Sequence, residues 1–451
     1  MTSSRPLSGL RFVVTLPPAH FFSGCDLAIA RDHVVALREL GAAVYEFDTA
    51  PSYAKKSAEL QQQVDDLQRF RADAVIGAPH AGYAIQAFTS FSGGQDPDAI
   101  PRNLFLDDLD LPTFLYWDHA LLQLPFYLLS QWPRGPEQSK AGVLRLLRAV
   151  FTHPRASHFF PDTGQIAELR RLGIAEFPAD AAYIPGISHQ YVDYGRAPDS
   201  AGGENGGAAF FGNIYVAAAR RITYGQEALL GIRTRALAAL SADWDRAPYD
   251  AYRDEIARLG PAAASELRLE PDQSFHWRFL FDELACVANG ERRLRVALAC
   301  GRRLTYFGGF ADPESRTIAK EAGCDLGEEY LPYGRSLAAA YRRQVLSIDV
   351  ANAPYINGFS TKVFSCFAAG GFMLSTRKAD LTAALGSLAD PISFSTPGEL
   401  ASKADYFLGA DRERRELTRE IQDVVSSRFT ASSLFAATVP AAVEACRVRG
   451  R

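Results

Sequence analysis

Residues 345–380 restrict the possible fold of this chain more than any other stretch. The run VLSIDV is rich in β-branched residues and predicts a strand, and a loop containing Asn, Pro and Gly follows it. Ser360 is the predicted N-cap of a helix TKVFSCFAA, which ends at Gly370 and Gly371. FMLST predicts the next strand. Two strands joined through a helix form a right-handed parallel unit, with the loop and the helix start at the carboxyl edge of the sheet.

Lys362 stands in the first turn of this predicted helix, and that turn contains no Asp or Glu. A cation at this position opposes the helix dipole, at a cost of about 0.3–1 kcal/mol. An anion bound by the N–H groups of the helix start, Ser360, Thr361 and Lys362 would remove the conflict. The alternative is a solvated lysine whose ammonium group turns into water.

The first 200 residues alternate between short apolar runs and amphipathic segments, a pattern that predicts a doubly wound parallel sheet. The predicted strands are 11–18, 44–48, 73–79, 112–118, a fifth strand after 143–153, and 181–186. The predicted helices are 27–41, a polar helix that ends near residue 70, and 164–173.

A Gly-rich polar segment, DSAGGENGGAA at 199–209, predicts a linker between two domains. AFFGN at 209–213 begins a second predicted sheet, to which RLTYFGG, VLSIDV, FMLST and PISFST would contribute further strands. The fold class expected is therefore α/β, with two doubly wound, Rossmann-like domains that face a cleft. The expected boundaries are 1–200, a linker at 201–208, 209–430 with a helical insert at about 225–300, and a C-terminal helix at 431–451.

Charge and cysteine content limit the expected partners and location. The formal net charge of -4 gives no broad basic surface, so neither nucleic acid nor an anionic membrane is an expected partner. The six cysteines are scattered and form no CxxC pair, which favours free thiols in a reducing compartment. We find no signal-peptide pattern and no apolar run of membrane-spanning length, so a cytoplasmic protein without a transmembrane segment is expected.

Histidines follow several predicted strands of the first half: His20, His80, His119, His153 and His189. Because ligands bind at the carboxyl ends of parallel strands, this pattern indicates a functional crevice, although loops also accept histidine by chance. No pair has the spacing of a metal site, and DDLD at 107–110 is more typical of a solvated loop than of a cation site. The G-x-G-x-x-G and G-x-x-x-x-G-K-[ST] motifs are missing, which disfavours dinucleotide oxidoreductases and P-loop NTPases.

The stretch YINGFSTKVFSCFAAGGFMLSTRKADL resembles the C-terminal signature of GT-B glycosyltransferases, especially the bacterial group related to spore protein CgeB and the glycosyltransferase family 1-4 group. The segments SFSTPGELASKADYFLGADRERRELTREIQDVVSSRFT, GRRLTYFGG and FFGN are similar to neighbouring elements of that family, and LDLPTFLYWDHA is similar to a segment of its N-terminal half. The resemblance is clear over 300–430 and weaker before. Where the family has Arg-x-Phe-Glu, this chain has Lys-Val-Phe-Ser, which predicts a weaker or reassigned contact with the ribose.

The resemblance implies a metal-independent hexosyltransferase-like enzyme without a cofactor, which moves a sugar from a nucleotide-sugar donor to an unknown glycan, lipid, protein or small-molecule acceptor. It implies a donor site formed by Gly212, Asn213, Arg220, Arg221, Asn357, Gly358, Ser360, Thr361, Lys362, Ser365 and Asp380. Asp380 is alternatively the cap of the next helix.

The acceptor is expected in the N-terminal crevice, beside His80 and His153. Asp118 or His119 is the expected catalytic base of an inverting transfer, with His20 as the second choice. A retaining enzyme needs no such base. The alternatives are a nucleotide-sugar epimerase or hydrolase of the same architecture, and a non-catalytic sugar- or partner-binding member.

Overall fold

The computed structural model describes residues 5–18, 25–53, 57–77, 102–117, 150–171, 182–183, 207–212, 227–243, 246, 248–266, 289–301, 304–309, 313–332, 334–351 and 355–449. The described residues form two six-stranded sheets, and every paired strand is parallel to its neighbour. The expected α/β architecture is therefore confirmed.

The N-terminal sheet has the strand order β2-β1-β3-β4-β5-β6. Its strands are β1 Arg11–Leu16, β2 Ala43–Asp48, β3 Ala74–Gly77, β4 Thr113–Tyr116, β5 Ala156–Phe160 and β6 Ala182–Tyr183. The helices of this half are α1 Cys25–Glu39, α2 Ala50–Tyr53, α3 Ser57–Phe70 and α4 Thr163–Arg171, together with a π-helical turn at Leu104–Asp108. β3, β4 and β5 are buried along their whole length, as is typical of a parallel sheet that is covered on both faces.

The C-terminal sheet has the order β12-β11-β10-β7-β8-β9. Its strands are β7 Ala208–Phe211, β8 Leu304–Phe307, β9 Asp325–Leu326, β10 Leu346–Asp349, β11 Met373–Thr376 and β12 Ser393–Phe394. The order reverses between β10 and β7, and such a switch point places a crevice outside the carboxyl ends of these two strands.

The helices of the second half include three in the predicted insert, namely α5 Glu227–Ala242, α6 Pro248–Leu259 and α7 Pro261–Glu266. They share a small core of their own, in which Tyr252 is fully buried. The following helices are α8 Asn289–Leu298, α9 Pro313–Glu321, α10 Arg335–Arg343, α11 Thr361–Ala368, α12 Ala379–Leu385, α13 Ala389–Ile392, α14 Pro397–Gly409, α15 Asp411–Arg428 and α16 Ala431–Arg449, with a 3-10 turn at Gly386–Leu388.

The last helix, α16, returns to the N-terminal half. Phe435, Val439, Val443 and Cys446 are buried in the same core as β1, β4 and α1. Cys446 Sγ also lies 3.4 Å from Ser157 Oγ on β5. The N-terminal core is thus built from two distant segments of the chain, whereas the expected boundaries treat 431–451 only as a separate final helix.

By length and composition, one stretch of the described residues, Asp411–Cys446, is apolar enough to cross a membrane. It comprises most of α15 and α16, two separate helices, and each of them contributes buried side chains to a core. The domain boundaries and the linker remain predictions, since residues 201–206 lie outside the described part of the chain.

Candidate functional site

The site begins at the start of α11, at the carboxyl edge of the C-terminal sheet. Ser360 has extended backbone angles and its hydroxyl accepts a hydrogen bond from the N–H of Lys362 at 3.3 Å, so the predicted N-cap is confirmed. The first turn of α11 holds no acidic residue. The positive end of the helix dipole therefore meets a lysine, as the sequence suggested, and both favour a negatively charged ligand.

Lys362 reaches from α11 to the neighbouring strand β7. Its Nζ atom donates to the carbonyl oxygen of Phe211, the last residue of β7, at 3.0 Å. Gly212 follows with a φ of +139°, in the region that favours glycine. A Cβ atom at Gly212 would lie 2.7 Å from Lys362 Nζ and 3.0 Å from an Arg293 guanidinium nitrogen, so the absence of a side chain lets both cations approach this strand end.

Arg293 is a member of this site that the sequence interpretation missed. It lies on α8, its side chain is 5% exposed, and its Nε atom donates to Val350 O at 3.1 Å. The guanidinium carbon lies 5.1 Å from the centre of the Phe210 ring, a cation–π geometry. Three elements that are far apart in sequence thus bring two cations and a helix start to the switch point of the sheet.

The loop before α11 forms hydrogen bonds with the N-terminal half of the protein. The N–H groups of Ile356 and Asn357 both donate to the carboxylate of Asp162, at 2.7 and 3.0 Å. The side-chain amide of Asn357 donates to Thr163 Oγ1 at 3.1 Å. Asn357 was expected to hold the diphosphate, but in this structure its backbone N–H and its amide both bind the other half of the protein.

Gly358 was expected to hold the diphosphate as well, and it lies at the same junction. A Cβ atom at this position would lie 2.8 Å from both Asp162 Cβ and Pro161 O. Glycine is therefore needed here because the two halves of the protein approach each other closely.

Asp380 is not the cap of α12, and its side-chain hydrogen bonds connect it to Thr163 instead of to the start of α11. The cap position of α12 is Lys378, and it makes no side-chain cap bond. The carboxylate of Asp380 is buried and accepts bonds from Thr163, at 2.9 Å from the backbone nitrogen and 2.6 Å from the hydroxyl. Burial raises the pKa of Asp380, and the two bonds from Thr163 oppose that rise.

Ser365 lies on α11 one turn after Lys362 and is 1% exposed. Its hydroxyl oxygen has no hydrogen-bond partner among the described residues. A buried hydroxyl without a partner is costly, at about 1–3 kcal/mol. The resemblance predicts a contact with the ribose at this position, but the hydroxyl is enclosed by protein and is not presented to a ligand in this structure.

His153 does not lie at the carboxyl edge of the N-terminal sheet, where it was expected to line the acceptor cleft. It precedes β5, which begins at Ala156, and therefore belongs to the opposite edge. There its Nδ1 accepts from Arg155 N, and its Nε2 lies 3.5 Å from Asp107. Burial lowers the pKa of His153, and the nearby Asp107 opposes the change.

The acidic run at 107–110 is used in local contacts with basic side chains. Asp108 pairs with Arg102 at 2.9 Å, and Asp110 pairs with Arg155 at 2.7 Å. Within the described ranges no group of three or more His, Cys, Asp or Glu side chains could hold a metal ion. The interpretation of this run as a solvated, structural segment therefore agrees with its geometry.

The remaining predicted site residues lie outside the described residues: His20, His80, Asp118, His119, Asn213, Arg220 and Arg221. The residue before Asp118 is Trp117, which is 1% exposed and whose indole N–H donates to His158 Nδ1 at 3.1 Å. Trp117 also stacks with Phe151 and with Phe160, whose ring centres lie 6.4 Å from each other. A rigid aromatic cluster therefore supports the end of β4, immediately before the predicted catalytic residues.

Comparisons with known proteins agree with this architecture. Residues 293–438 match the protein-family model described as Glycosyl transferase-like, and this region begins at Arg293 and includes Lys362. The comparison with curated proteins gives no match.

Among solved structures, sucrose-phosphate synthase from Thermosynechococcus elongatus is similar, with a TM-score of 0.53, 11% identity and coverage of 97% of this chain and 99% of that chain. T4 phage BGT in complex with UDP and Mn²⁺ is similar with a TM-score of 0.51 and 8% identity, over 96% of this chain and 100% of that chain. At such identities the likeness concerns the fold. The chain thus has the GT-B fold and carries a glycosyl transferase-like region over residues 293–438.

Proposed function

We propose that this protein is a glycosyltransferase that moves a sugar from a nucleotide-sugar donor to an acceptor. The observation that carries the proposal is the meeting of Lys362, Arg293 and the start of α11 at the carboxyl ends of β7 and β10. Two cations and a helix N-terminus suit a diphosphate, which carries its negative charge on several oxygens. The glycosyl transferase-like family match covers both cations.

The donor diphosphate would occupy the space in front of Gly212. Ser360, Thr361 and the first N–H groups of α11 would bind one phosphate, and Lys362 and Arg293 would stabilise the charge that develops on the leaving group. The T4 phage BGT structure contains UDP, and this supports a uridine nucleotide as the first donor to test.

In an inverting transfer the acceptor oxygen forms a bond to the anomeric carbon while the bond from that carbon to the diphosphate oxygen breaks. The nucleoside diphosphate leaves, and a base takes the acceptor proton. Asp118 or His119 is proposed as this base, with His20 as the second choice. The position of Asp118 supports the proposal, because it comes two residues after β4 ends at Tyr116.

We infer that the two cations neutralise the diphosphate without a metal ion. A metal chelator is therefore expected to leave activity unchanged, whereas loss of activity with EDTA and recovery with Mn²⁺ would refute this part. The link to the bacterial CgeB-related group and a cytoplasmic location are proposals too. The first is supported by the motif at 355–381, and the second by four buried free cysteines among the described residues.

A direct test is a binding screen with UDP, GDP, ADP, dTDP and the corresponding nucleotide sugars, read as thermal stabilisation and then by calorimetry. Lys362→Met and Arg293→Met should each weaken binding of the selected diphosphate by at least about tenfold, because each removes a charge-assisted contact. Binding of the nucleoside alone should change little.

Arg295→Met is the matched control, since Arg295 lies on the same helix as Arg293 but is exposed. Equal losses for nucleoside and diphosphate would contradict the phosphate assignment. If no nucleotide stabilises the wild-type protein, the glycosyltransferase proposal fails.

Two alternatives are separated by the products formed. A nucleotide-sugar hydrolase or epimerase would release free sugar, or convert the sugar, with no acceptor present. A non-catalytic member would bind the nucleotide sugar and leave it intact with every acceptor. The substitution of Ser365 for the family's acidic residue is the observation that keeps the second alternative open.

A further inference from the structure

The loop Tyr355–Gly358, which leads into α11, is held through its backbone by hydrogen bonds from both halves of the protein. On the C-terminal side, Lys378 Nζ donates to the carbonyl oxygens of Tyr355 and Ile356, at 3.0 and 3.1 Å. The backbone N–H of Asp380 donates to Asn357 O at 3.0 Å. The N–H groups of Ile356 and Asn357 donate instead across to the N-terminal half.

Those two N–H groups are bound by Asp162, which belongs to the N-terminal half. Asp162 follows β5 by two residues and is fully buried. One of its oxygens accepts from Ile356 N, and the other accepts from Asn357 N and from Gly164 N, the latter at 2.8 Å. The same carboxylate therefore caps its own helix, α4, and holds the loop that begins α11.

A second set of hydrogen bonds has its donors in the N-terminal half and its accepting carboxylate in the C-terminal half. Thr163, next to Asp162, donates through its backbone and hydroxyl to Asp380, and its hydroxyl oxygen accepts from Asn357. Each half thus supplies a buried carboxylate that accepts from groups of the other half. The backbones are also too close for larger residues, since a Cβ at Gly164 would lie 2.5 Å from Ile356 Cβ.

These contacts matter for ligand binding because of where they are attached. The loop 355–358 continues into Ser360 and Lys362 within a few residues, so its position determines where the helix start and the ammonium group lie. A stretch of so few residues can absorb little displacement. Movement of the loop by an ångström would remove the helix start from its alignment with Arg293 and Gly212.

We propose that Asp162 and Thr163 are positioning residues for the diphosphate site, although they lie in the half of the protein that does not contain it. They fix the loop in the orientation that presents α11 to the donor. The inference rests on the proposed function. It adds that the affinity for the donor depends on the contact between the two halves of the protein. By linkage, a bound diphosphate should strengthen that contact by the same factor.

The test measures the affinity of inorganic pyrophosphate, UDP, GDP, ADP and dTDP, and of the matching nucleosides, for the full-length protein. Asp162→Asn replaces one charged oxygen of the carboxylate. Asp162→Ser shortens the side chain so that it no longer reaches the loop. Both side chains still offer an oxygen that can cap α4. Thr163→Val is a milder variant that keeps the side-chain shape and removes only the hydroxyl.

We expect diphosphate affinity to fall in the order wild type, Asp162→Asn, Asp162→Ser, with a loss of at least about tenfold for the last, and nucleoside affinity to stay within about twofold. Thr163→Val should lower it by a smaller factor in the same direction. Asp73→Ala is the matched control, because Asp73 also accepts a backbone N–H bond, from Arg11 at 2.8 Å, but at the opposite edge of the N-terminal sheet. That control should bind as the wild type does.

Three results would overturn the proposal, and they are distinguishable from one another. If the wild-type protein binds a diphosphate, and the Asp162 and Thr163 variants bind it equally well, the positioning role is refuted and the proposed function stands. If the wild-type protein binds none of the diphosphates, the proposed function fails and the positioning role fails with it. Loss of nucleoside and diphosphate affinity together would indicate general damage and would also refute it.

Discussion

His33 lies where the first and last helices of the protein meet, and its burial makes the stability of the N-terminal half sensitive to acid. Its ring centre is 4.9 Å from that of Tyr116 on β4 and 5.1 Å from that of Phe435 on α16. The side chain is 7% exposed, and burial lowers its pKa from 6.5 to about 4. The folded protein therefore favours the neutral imidazole.

The sign of the effect follows from the two pKa values. Above pH 6.5 both the folded and the unfolded chain carry a neutral His33, so its contribution to stability is fully present. Between pH 6.5 and 4 the unfolded chain takes up a proton that the folded protein does not, and stability is lost. The loss amounts to about 2 kcal/mol at pH 5 and about 3 kcal/mol once the pH falls below 4.

The variant His33→Phe keeps an aromatic ring between Tyr116 and Phe435 and removes the titration. Urea denaturation of both proteins at pH 8 and pH 5, followed by far-ultraviolet circular dichroism, measures the effect. We expect the wild-type protein to lose about 2 kcal/mol more than the variant between these two pH values. An equal loss in the two proteins would refute the reasoning, because other groups would then account for the acid sensitivity.

Three further outcomes are expected. Gly212→Ala should weaken nucleoside diphosphate binding by roughly tenfold or more while the protein stays folded, because the new methyl group would meet Lys362 and Arg293. Gly323→Ala, at another positive φ of +86° but in open space, is the control for a methyl group at a strained backbone position, and equal effects on calorimetric affinity would contradict the reasoning. Asp118→Asn should lower turnover by about 10²–10⁴-fold with donor affinity nearly unchanged, as measured by steady-state kinetics and calorimetry, and full activity would exclude Asp118 as the base. Cys366 and Cys446 should resist iodoacetamide in the native protein, because burial raises the pKa of both thiols, and mass spectrometry showing rapid labelling would disagree.

Short-range patterns predicted the elements of the fold well. The strand, N-cap and helix of 345–369 and the C-terminal helix predicted from residue 431 agree with the structure to within a few residues, because period, caps and glycine breaks are local properties. His153 was placed at the wrong edge because residues 150–152, directly before it, are helical and the strand begins only at Ala156. Periodicity does not distinguish a short buried helix from a buried strand.

The site was predictable only where its residues are close in sequence. Ser360 is itself a recognisable helix cap, and Lys362 follows it by two residues. The mismatch between Lys362 and the helix dipole gave a local signal. Arg293 gave none, since it stands among other arginines of α8 and only the tertiary structure distinguishes it from the exposed Arg295. The contact of Asp162 with residues 356 and 357, nearly 200 positions away, depends on how two sheets are placed and leaves no pattern in either segment.

The return of α16 to the N-terminal core has a consequence for synthesis and folding. The sheet formed by residues 11–183 has an apolar face that Phe435, Val439 and Val443 cover, so this face stays exposed until the ribosome has made α16. The last strand of the C-terminal sheet is β12, and the buried core of that half extends to Phe429, just before α16 begins. The half of the protein that is made first is therefore the half whose core closes last, and until α16 has formed, its uncovered apolar surface favours association with other chains.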